Sequence, residues 1–309
     1  MLEMIDVVKR FGQHEAVRDL NLYLEKGESV GLLGPNGAGK STTIEILSSL
    51  AKPTKGEVRF KGKLVSKDLQ TFRTSIGVVP QELALFPQLT AEENLQFFGQ
   101  IYRLDKKELK NRVEELLDLV GLAERRKDKV RTFSGGMKRR LNTAAALVHR
   151  PEFLLMDEPT VGIDPQSRRH ILDLVKALQV HDGMTILYTS HYMEEVEYLC
   201  DRVYVMDRGN VIASGTIDEI KRILDRDQTY ELKLAIQSPA LEKKLEEDPR
   251  IHSVTAIENG YRVISSGASL FEPLLDLAKQ CGAQVQGIQT QSPTLEDVFL
   301  HLTGRTLRD

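Results

Sequence analysis

Hydrophobic and polar positions alternate near the start of the chain and predict two antiparallel strands over residues 2–8 and 16–24. A short apolar run over 29–33 then ends at a glycine-rich loop. After Lys40 the apolar positions recur with helical spacing until Lys52-Pro53 interrupts them. The pattern therefore predicts a strand, a loop and a helix in succession.

The middle of the chain combines short apolar runs with a long helical stretch. Between residues 82 and 150 the apolar positions are spaced mostly as in helices, which predicts a helical subdomain inserted into an α/β core. Four apolar runs are short enough to be buried parallel strands, and they cover residues 76–79, 153–156, 185–190 and 202–206.

A change in composition near residues 224–228 indicates a second domain. We place the boundary after residue 224, which gives domains over 1–224 and 225–309. The second domain has the predicted order strand, helix, strand, strand, helix, strand, and this order is typical of a small ferredoxin-like α+β domain. The predicted elements are 230–236, 239–247, 251–257, 261–265, 270–280 and 284–290, with a closing helix over 295–302.

Composition argues against several classes of protein. The 309 residues carry a net charge of −3, so no basic excess indicates a nucleic-acid partner. The two cysteines form no C-x-x-C pair, which argues against a disulfide framework or a zinc site. No apolar run approaches the roughly 18 residues that span a bilayer, and the first residues include acids where a secretory signal would be basic and then apolar. We therefore expect any membrane role to require a partner protein.

The glycine-rich loop carries the strongest chemical signal. The run Gly34-Pro35-Asn36-Gly37-Ala38-Gly39-Lys40-Ser41, called here the phosphate loop, matches G-x-x-x-x-G-K-[ST]. Backbone N–H groups and the start of the following helix favour phosphate oxygens. Lys40 is expected to reach the β- and γ-phosphates, and the Ser41 hydroxyl to ligate Mg²⁺. Candidate nucleotide contacts here are Gly34, Asn36, Gly37, Ala38, Gly39, Lys40, Ser41 and Thr42.

Two acidic residues, Asp157 and Glu158, follow the apolar run over 153–156. A buried parallel strand presents its carboxyl end where α/β sheets bind ligands. Asp157 is therefore a candidate for holding the metal. Glu158 is a candidate general base for the attacking water.

A third motif narrows the class of nucleotide-binding protein. The segment Phe133-Ser134-Gly135-Gly136-Met137 precedes a helical run and resembles the signature of the ABC ATPase family. The family pattern has Leu first and Gln last, so Phe133 and Met137 depart from it. Ser134, Gly135 and Gly136 are retained, and they supply a hydroxyl, bare N–H groups and a helix N-terminus for phosphate.

Other single residues match further motifs of this family, and they occur along the chain in the order that the resemblance implies. Gln81 resembles the glutamine that contacts Mg²⁺, and His191 resembles the switch histidine that contacts the γ-phosphate. Phe11 matches the aromatic residue that stacks on adenine, and Val17 is a further candidate contact. Residues 161–165 resemble the D-loop, which lies at the dimer interface in this family. Each residue alone has an ordinary reading as core or surface, and their order supports the assignment.

The resemblance implies an ATPase that binds ATP and Mg²⁺ and dimerises head to tail. A homodimer or a heterodimer would place the signature of one chain against the phosphate loop of the other. A separate transmembrane permease subunit would hold the protein at the inner, cytoplasmic face of the cell membrane. Residues 292–304 resemble the ending of ABC-2 exporter subunits, a group that includes drug, antibiotic and sodium exporters.

Other interpretations stay open at this stage. A soluble ABC ATPase unlinked to a permease is the alternative, although only 94 residues separate Lys40 from Gly135 and they lack sustained heptads of a coiled coil. Residues 83–89 are either a docking site for the permease or a connection into the helical subdomain. The apolar face of the last helix either packs within its domain or contacts a second subunit. The transported substrate is not encoded in this chain.

Overall fold

The computed structural model describes residues 1–224, 227–266, 270–291 and 294–304. The chain forms two compact units, Met1–Thr216 and a second that begins at Ile217. This division lies before the predicted boundary after residue 224, because the short helix Ile217–Lys221 packs with the last helix of the second unit.

The first unit contains strands and helices in alternation. Its strands are β1 (Leu2–Phe11), β2 (His14–Leu24), β3 (Ser29–Leu33), β4 (Lys55–Phe60), β5 (Lys63–Leu64), β6 (Ile76–Val79), β7 (Phe153–Asp157), β8 (Thr185–Ser190), β9 (Arg202–Asp207) and β10 (Asn210–Thr216). Its helices are α1 (Lys40–Leu47), α2 (Leu69–Ser75), α3 (Ala91–Ile101), α4 (Lys106–Leu119), α5 (Gly135–Leu147), α6 (Pro165–Asp182) and α7 (Met193–Leu199).

A six-stranded sheet in the order β10-β9-β3-β8-β7-β6 forms the centre of the first unit. All neighbouring pairs are parallel except β10 and β9. Leu33 pairs with Ser190, and Asp157 pairs with Thr189, so β3, β8 and β7 end at the same level. The segments that follow these three strands therefore meet at one edge of the sheet.

A smaller antiparallel sheet, ordered β2-β1-β4-β5, packs on the central sheet. Its Phe60 ring contacts Phe72 of α2 and Phe153 of β7 edge to face, with centroids 5.4 Å and 5.7 Å away. Such contacts join the two sheets through one apolar cluster, which also holds Leu2, Leu32 and other buried side chains. The predicted antiparallel subdomain is confirmed.

The helical subdomain consists of α3, α4 and α5, as predicted. Each helix begins at a side chain that accepts a hydrogen bond from the first turn: Thr90 for α3, Asp105 for α4 and Ser134 for α5. The buried Arg112 of α4 donates from Nη2 to the Leu147 carbonyl of α5 at 2.7 Å. This bond adds a side-chain donor to a buried carbonyl in the last residue of α5 and joins two of the helices.

The second unit is an antiparallel α+β fold. Its elements are α8 (Ile217–Lys221), β11 (Asp227–Leu234), α9 (Pro239–Glu247), β12 (Ile251–Ile257), β13 (Gly260–Ser266), α10 (Phe271–Gln280), β14 (Val285–Gln291) and α11 (Leu295–Thr303). The strand order β12-β13-β11-β14, with every pair antiparallel, confirms the ferredoxin-like prediction. Its core is separate and includes Tyr230, Leu232, Leu241, Leu245 and Leu274.

The two cysteines occupy different surroundings. Cys200, at the end of α7, is buried, and this burial raises the pKa of its thiol to about 12. Cys281, at the end of α10, is half-buried. Across the described ranges, no helix combines the length and the apolar character needed to cross a membrane.

Candidate functional site

The phosphate loop connects the fully buried strand β3 to helix α1. A Cβ atom at Gly34 would lie 2.4 Å from the Met206 carbonyl oxygen. At Gly39, where φ is +106°, it would lie 2.5 Å from the Ala16 carbonyl oxygen. Glycine is therefore required at both ends of the loop, because neighbouring backbone approaches too closely for any side chain.

Lys40 is the first residue of α1, and its side chain turns back into the phosphate loop. The ammonium Nζ donates to the carbonyl oxygens of Gly34 at 2.8 Å and Pro35 at 3.2 Å. It also lies 3.1 Å from Glu158 Oε1 in an ion pair whose two side chains are only 4% and 6% exposed. A buried charge is tolerated when paired and hydrogen bonded in this way.

Asp157 and Glu158 stand at the carboxyl end of β7 and share a contact with Thr189 of β8. The Thr189 hydroxyl donates to Asp157 Oδ1 at 2.8 Å, and the Glu158 N–H donates to the same hydroxyl oxygen at 2.9 Å. Glu158 has a φ of +44°, which is uncommon for a residue with a side chain. The chain thus turns sharply where the second carboxylate is presented.

Residues from three loops surround the Glu158 carboxylate. Gln81, after β6, donates from Nε2 to Glu158 Oε2 at 3.3 Å. His191, after β8, has its Nδ1 atom 3.5 Å from the same oxygen. Together with Lys40, they make three residues from separate parts of the sequence that meet at the Glu158 carboxylate.

A cavity of about 510 Å³ opens in front of these groups. Predicted residues that line it are Phe11, Asn36, Gly37, Gly39, Lys40, Ser41, Thr42, Gln81 and Glu158. The lining residues described do not include the other predicted residues, which are Val17, Gly34, Ala38, Ser134, Gly135, Gly136, Asp157 and His191. Val17 is fully buried, with its Cγ2 atom 3.6 Å from the position of a Cβ at Gly39, so it supports the loop from behind.

His14 and Ala16 also line the cavity, although they belong to none of the motifs in the sequence. Phe11 pairs with His14 across β1 and β2, so the two side chains are neighbours at the cavity mouth. The Phe11 ring is 51% exposed and has Lys9 Nζ 4.8 Å from its centroid. Strand alternation could have indicated His14 and Ala16, because residues two apart share one face.

The signature segment, Ser134–Gly136, lies at the start of α5. The Ser134 hydroxyl oxygen accepts a hydrogen bond from the Met137 N–H at 3.2 Å and caps the helix. Asp164 similarly caps α6 through the Ser167 N–H at 2.9 Å, and hydrogen bonds with Ser167 hold the pKa of Asp164 below its usual value. Among the residues described as lining the cavity, none comes from the signature segment.

Oxygen donors suitable for Mg²⁺ occur at this edge of the sheet. Ser41, Gln81 and Glu158 line the cavity, and Asp157 stands directly behind Glu158. The described residues contain no group of three or more His, Cys, Asp or Glu side chains placed to hold a metal. Mg²⁺ fits the hydroxyl, amide and carboxylate oxygens that are present, because it uses few protein ligands and completes its shell with phosphates and water.

Comparisons with known proteins agree with this geometry. A family model described as ABC transporter matches residues 17–161, and one described as ATP-binding protein DrrA1-3-like, C-terminal domain, matches residues 215–303. The chain is 47% identical over 312 residues to the linearmycin resistance ATP-binding protein LnrL of Bacillus subtilis (strain 168), with all of both chains covered. This chain belongs to the ABC transporter ATP-binding family.

Two further similarities extend the family assignment. The daunorubicin resistance ATP-binding protein DrrA3 of Streptomyces coeruleorubidus is 36% identical, over 96% of this chain and 93% of that protein. The dimeric post-hydrolysis structure of the ATP-binding cassette MJ0796, bound to ADP and Pi, matches with a TM-score of 0.64 and 30% identity. The match covers 70% of this chain and 98% of the MJ0796 chain.

The predicted biochemical class is therefore confirmed. The chain is an ATP-binding and ATP-hydrolysing subunit of the ABC transporter family, with a DrrA-like C-terminal domain as in exporter subunits. The phosphate loop and the carboxylates after β7 are the parts of this ABC ATPase that the sequence identified first.

Proposed function

We propose that this ABC ATPase hydrolyses ATP at two composite sites, each made by two chains. One chain supplies the cavity with Lys40 and Glu158, and the other supplies its signature segment. The observation that carries this proposal is the separation of the two within one chain, since the signature segment lies outside the residues described as lining the cavity. The dimeric state of the MJ0796 cassette supports the same arrangement.

Residues in and beside the cavity divide the binding of adenine, phosphates and metal between them in the proposed reaction. Adenine stacks on the exposed Phe11 ring beside His14. The phosphates enter the phosphate loop, where Lys40 and the backbone N–H groups bind them. Ser41, Gln81 and Asp157 would hold Mg²⁺, which supplies positive charge against the phosphates.

Glu158 is proposed as the general base, and His191 as the group that contacts the γ-phosphate. In the described structure, Lys40 Nζ holds Glu158 Oε1 at 3.1 Å. Phosphate oxygens in the loop compete with this carboxylate for the ammonium group, because both are anions. ATP binding would thereby release Glu158 to accept a proton from the attacking water.

The proposed partner is a separate transmembrane subunit at the inner face of the cell membrane. Phe86, Phe97 and Phe98 form an aromatic group, and Phe86 and Phe97 are 43% and 39% exposed. A nearby groove of about 260 Å³ is lined by Leu50, Val78, Phe98 and Tyr102, among others. We propose that a short apolar helix of the transmembrane subunit docks here, since large exposed apolar side chains cluster at this surface.

The names of two relatives indicate a class of exported substrate. LnrL and DrrA3 are named for resistance to linearmycin and daunorubicin. We propose an antibiotic-like compound as the exported substrate. We also propose two identical chains, because one chain holds both the cavity residues and the signature segment.

The first test compares the steady-state ATPase rate of the purified chain with that of Glu158→Gln, over a range of protein concentrations. We expect the wild-type rate to rise faster than linearly, because two chains complete each site. The glutamine variant keeps the shape of Glu158 and loses the base, so its rate should fall by about 10²–10⁴-fold. It should also accumulate as a dimer in ATP.

Glu152→Gln is the matched control, because Glu152 is 47% exposed and pairs with Lys61 outside the cavity. Its ATPase rate should equal that of the wild type. Hydrolysis by Glu158→Gln at the wild-type rate would refute the assignment of the base. A rate strictly proportional to protein concentration would refute ATP-driven dimerisation in favour of a preformed dimer.

A further inference from the structure

Another buried carboxylate, Glu195 of α7, lies outside the residues described as lining the cavity. Glu195 is only 3% exposed and accepts hydrogen bonds from hydroxyl groups on three other residues. Ser190 Oγ and Tyr188 OH donate to Oε2 at 2.8 Å and 2.9 Å. Thr160 Oγ1 lies 2.8 Å from Oε1 and 2.9 Å from Oε2. A carboxylate that accepts this many O–H donors is well satisfied without water.

One branch of this network leads to His191. The Ser190 hydroxyl that donates to Glu195 also accepts the Tyr192 N–H at 2.8 Å. The Ser190 hydroxyl therefore links Glu195 Oε2 to Ser190 and Tyr192, the residues on either side of His191. The Tyr192 ring packs against His191 with centroids 4.1 Å apart.

Arg168 of α6 completes this branch. Its guanidinium lies 4.3 Å from the centroid of the Tyr192 ring, and its Nε lies 3.5 Å from Glu195 Oε1. The charge of Glu195 thus helps to place the cation that covers Tyr192. Tyr192 in turn packs on the ring of His191.

The other branch leads to Glu158. Thr160 is 1% exposed and follows Glu158 by two residues, so its bonds to Glu195 fix the backbone directly after the proposed base. His191 Nδ1 and Glu158 Oε2 are 3.5 Å apart. Glu195 is therefore hydrogen bonded to Thr160, two residues after Glu158, and to Ser190, one residue before His191.

We propose that Glu195 is a positioning residue that fixes Glu158 and His191 relative to each other, and that removing its charge slows hydrolysis without weakening ATP binding. This inference rests on the proposed roles of Glu158 and His191. Glu195→Gln preserves size but turns one oxygen into an NH₂ donor that faces hydroxyl donors. At least one hydroxyl must then rotate away, and the strong O–H···O⁻ bonds are lost.

The experiment measures kcat and the dissociation constant for ATP in wild type, Glu195→Gln and Glu194→Gln. Glu194 is exposed and adjacent, so it undergoes the same chemical change outside the network. We expect Glu195→Gln to lower kcat about 10–100-fold, since small displacements of reacting groups have effects of this size. The ATP dissociation constant should stay within about twofold, and Glu194→Gln should match the wild type.

A double-mutant cycle with His191→Ala separates positioning from general weakening of the fold. If Glu195 acts by positioning His191, Glu195→Gln should lower the residual rate of His191→Ala by much less than it lowers the wild-type rate. Ser190→Ala removes one hydroxyl only and should reproduce most of the kcat loss with little change in ATP affinity. This variant also tests the proposal if Glu195→Gln does not fold.

Three results would overturn the inference: equal kcat for the two glutamine variants, an equal loss in the His191→Ala background, or wild-type kcat in Ser190→Ala. In each case the proposed function would still stand if the wild type hydrolyses ATP and Glu158→Gln does not. Absence of ATP hydrolysis by the wild-type dimer would instead refute the proposed function itself.

Discussion

Two adjacent glycines of the signature segment lack a side chain for different reasons. A Cβ atom at Gly136 would lie 1.9 Å from Ser167 Oγ and 2.3 Å from Ser167 Cβ. At Gly135 the nearest atom would be Ile163 Cγ2, at an ordinary contact distance of 3.8 Å. Gly136 is therefore needed for the packing of α5 on α6, whereas Gly135 leaves open a surface that a second chain could approach.

This difference predicts opposite behaviour for two matched substitutions. Gly136→Ala should lower the free energy of unfolding by about 1–3 kcal/mol, because the methyl group overlaps Ser167. Gly135→Ala should leave it unchanged or slightly raised, because alanine favours a helix. Urea unfolding of the two variants measures both values.

Ser167→Gly supplies the control for the first substitution. Combined with Gly136→Ala it removes the atoms that the methyl group would meet, so it should restore part of the lost stability. Equal destabilisation by Gly135→Ala and Gly136→Ala would contradict the packing role of Gly136.

At the scale of elements, His149 connects the helical subdomain to the central sheet just after α5. Its ring stacks on Tyr102 with centroids 3.6 Å apart, and its Nε2 lies 2.9 Å from the Ile76 carbonyl of β6. Burial lowers the pKa of His149, and the charge of Arg112 acts in the same direction, while the bond to Ile76 opposes them. The structure thus favours the neutral imidazole.

A lowered pKa means that the unfolded chain binds a proton more readily than the folded one. The contribution of His149 to stability is therefore complete above its unfolded pKa of about 6.5 and is lost as the pH falls below that value. We expect His149→Gln to reduce the pH dependence of the unfolding free energy between pH 7 and 5. The change in slope should be at most about 1.4 kcal/mol per pH unit, the value for one proton.

Urea unfolding at several pH values measures this slope, and His170→Gln is the control. His170 is exposed on α6, and its Nδ1 contacts only the Gln166 carbonyl of its own helix among the bonds described. An unchanged slope in His149→Gln would show that burial does not set the charge of this histidine.

The elements with strong local signals were predictable from the sequence, and those decided by distant contacts were not. Helix α9 coincides with its predicted range because Pro239 and the Ser238 cap mark its start. Strand β4 was not predicted, since it has only Val58 and Phe60 as buried apolar residues and forms by pairing with β1. Strand β11 ends at Leu234, although the apolar pattern continues to Ile236, which is 81% exposed.

In the candidate site, too, the residues in motifs were predictable from the sequence and the residues placed by distant contacts were not. Motifs of fixed spacing selected Lys40, Ser41 and Glu158 as candidates, and these residues line one cavity together with Gln81. Glu195 carries no such signal, since it lies in Met-Glu-Glu-Val-Glu, a sequence typical of a solvated helix. Its burial depends on hydroxyl groups from β8 and from the segment after β7, and spacing along the chain does not reveal them.

At the scale of the whole molecule, each unit has its own hydrophobic core. The residues described as lining the cavity in front of the phosphate loop all belong to Met1–Thr216. Leu274→Ala, in the core of the second unit, should lower the stability of that unit by about 2–5 kcal/mol. It should leave the ATP dissociation constant unchanged.

Leu24→Ala is the matched substitution in the first unit, because both leucines are fully buried. It should lower the melting temperature of the unit that binds ATP, and added ATP should partly restore it. Calorimetry with and without ATP distinguishes the two variants. A loss of ATP affinity in Leu274→Ala would contradict the assignment of nucleotide binding to the first unit.

The contrast between the two cysteines gives the protein one natural attachment point for a chemical label. Only the thiolate reacts with alkylating reagents, and a pKa of about 12 leaves the buried Cys200 almost entirely protonated near neutral pH. Cys281 is partly open to solvent at the end of α10. A maleimide dye would therefore mark the second unit alone, without any substitution. Chains carrying donor and acceptor dyes at this position would report the meeting of two copies as energy transfer.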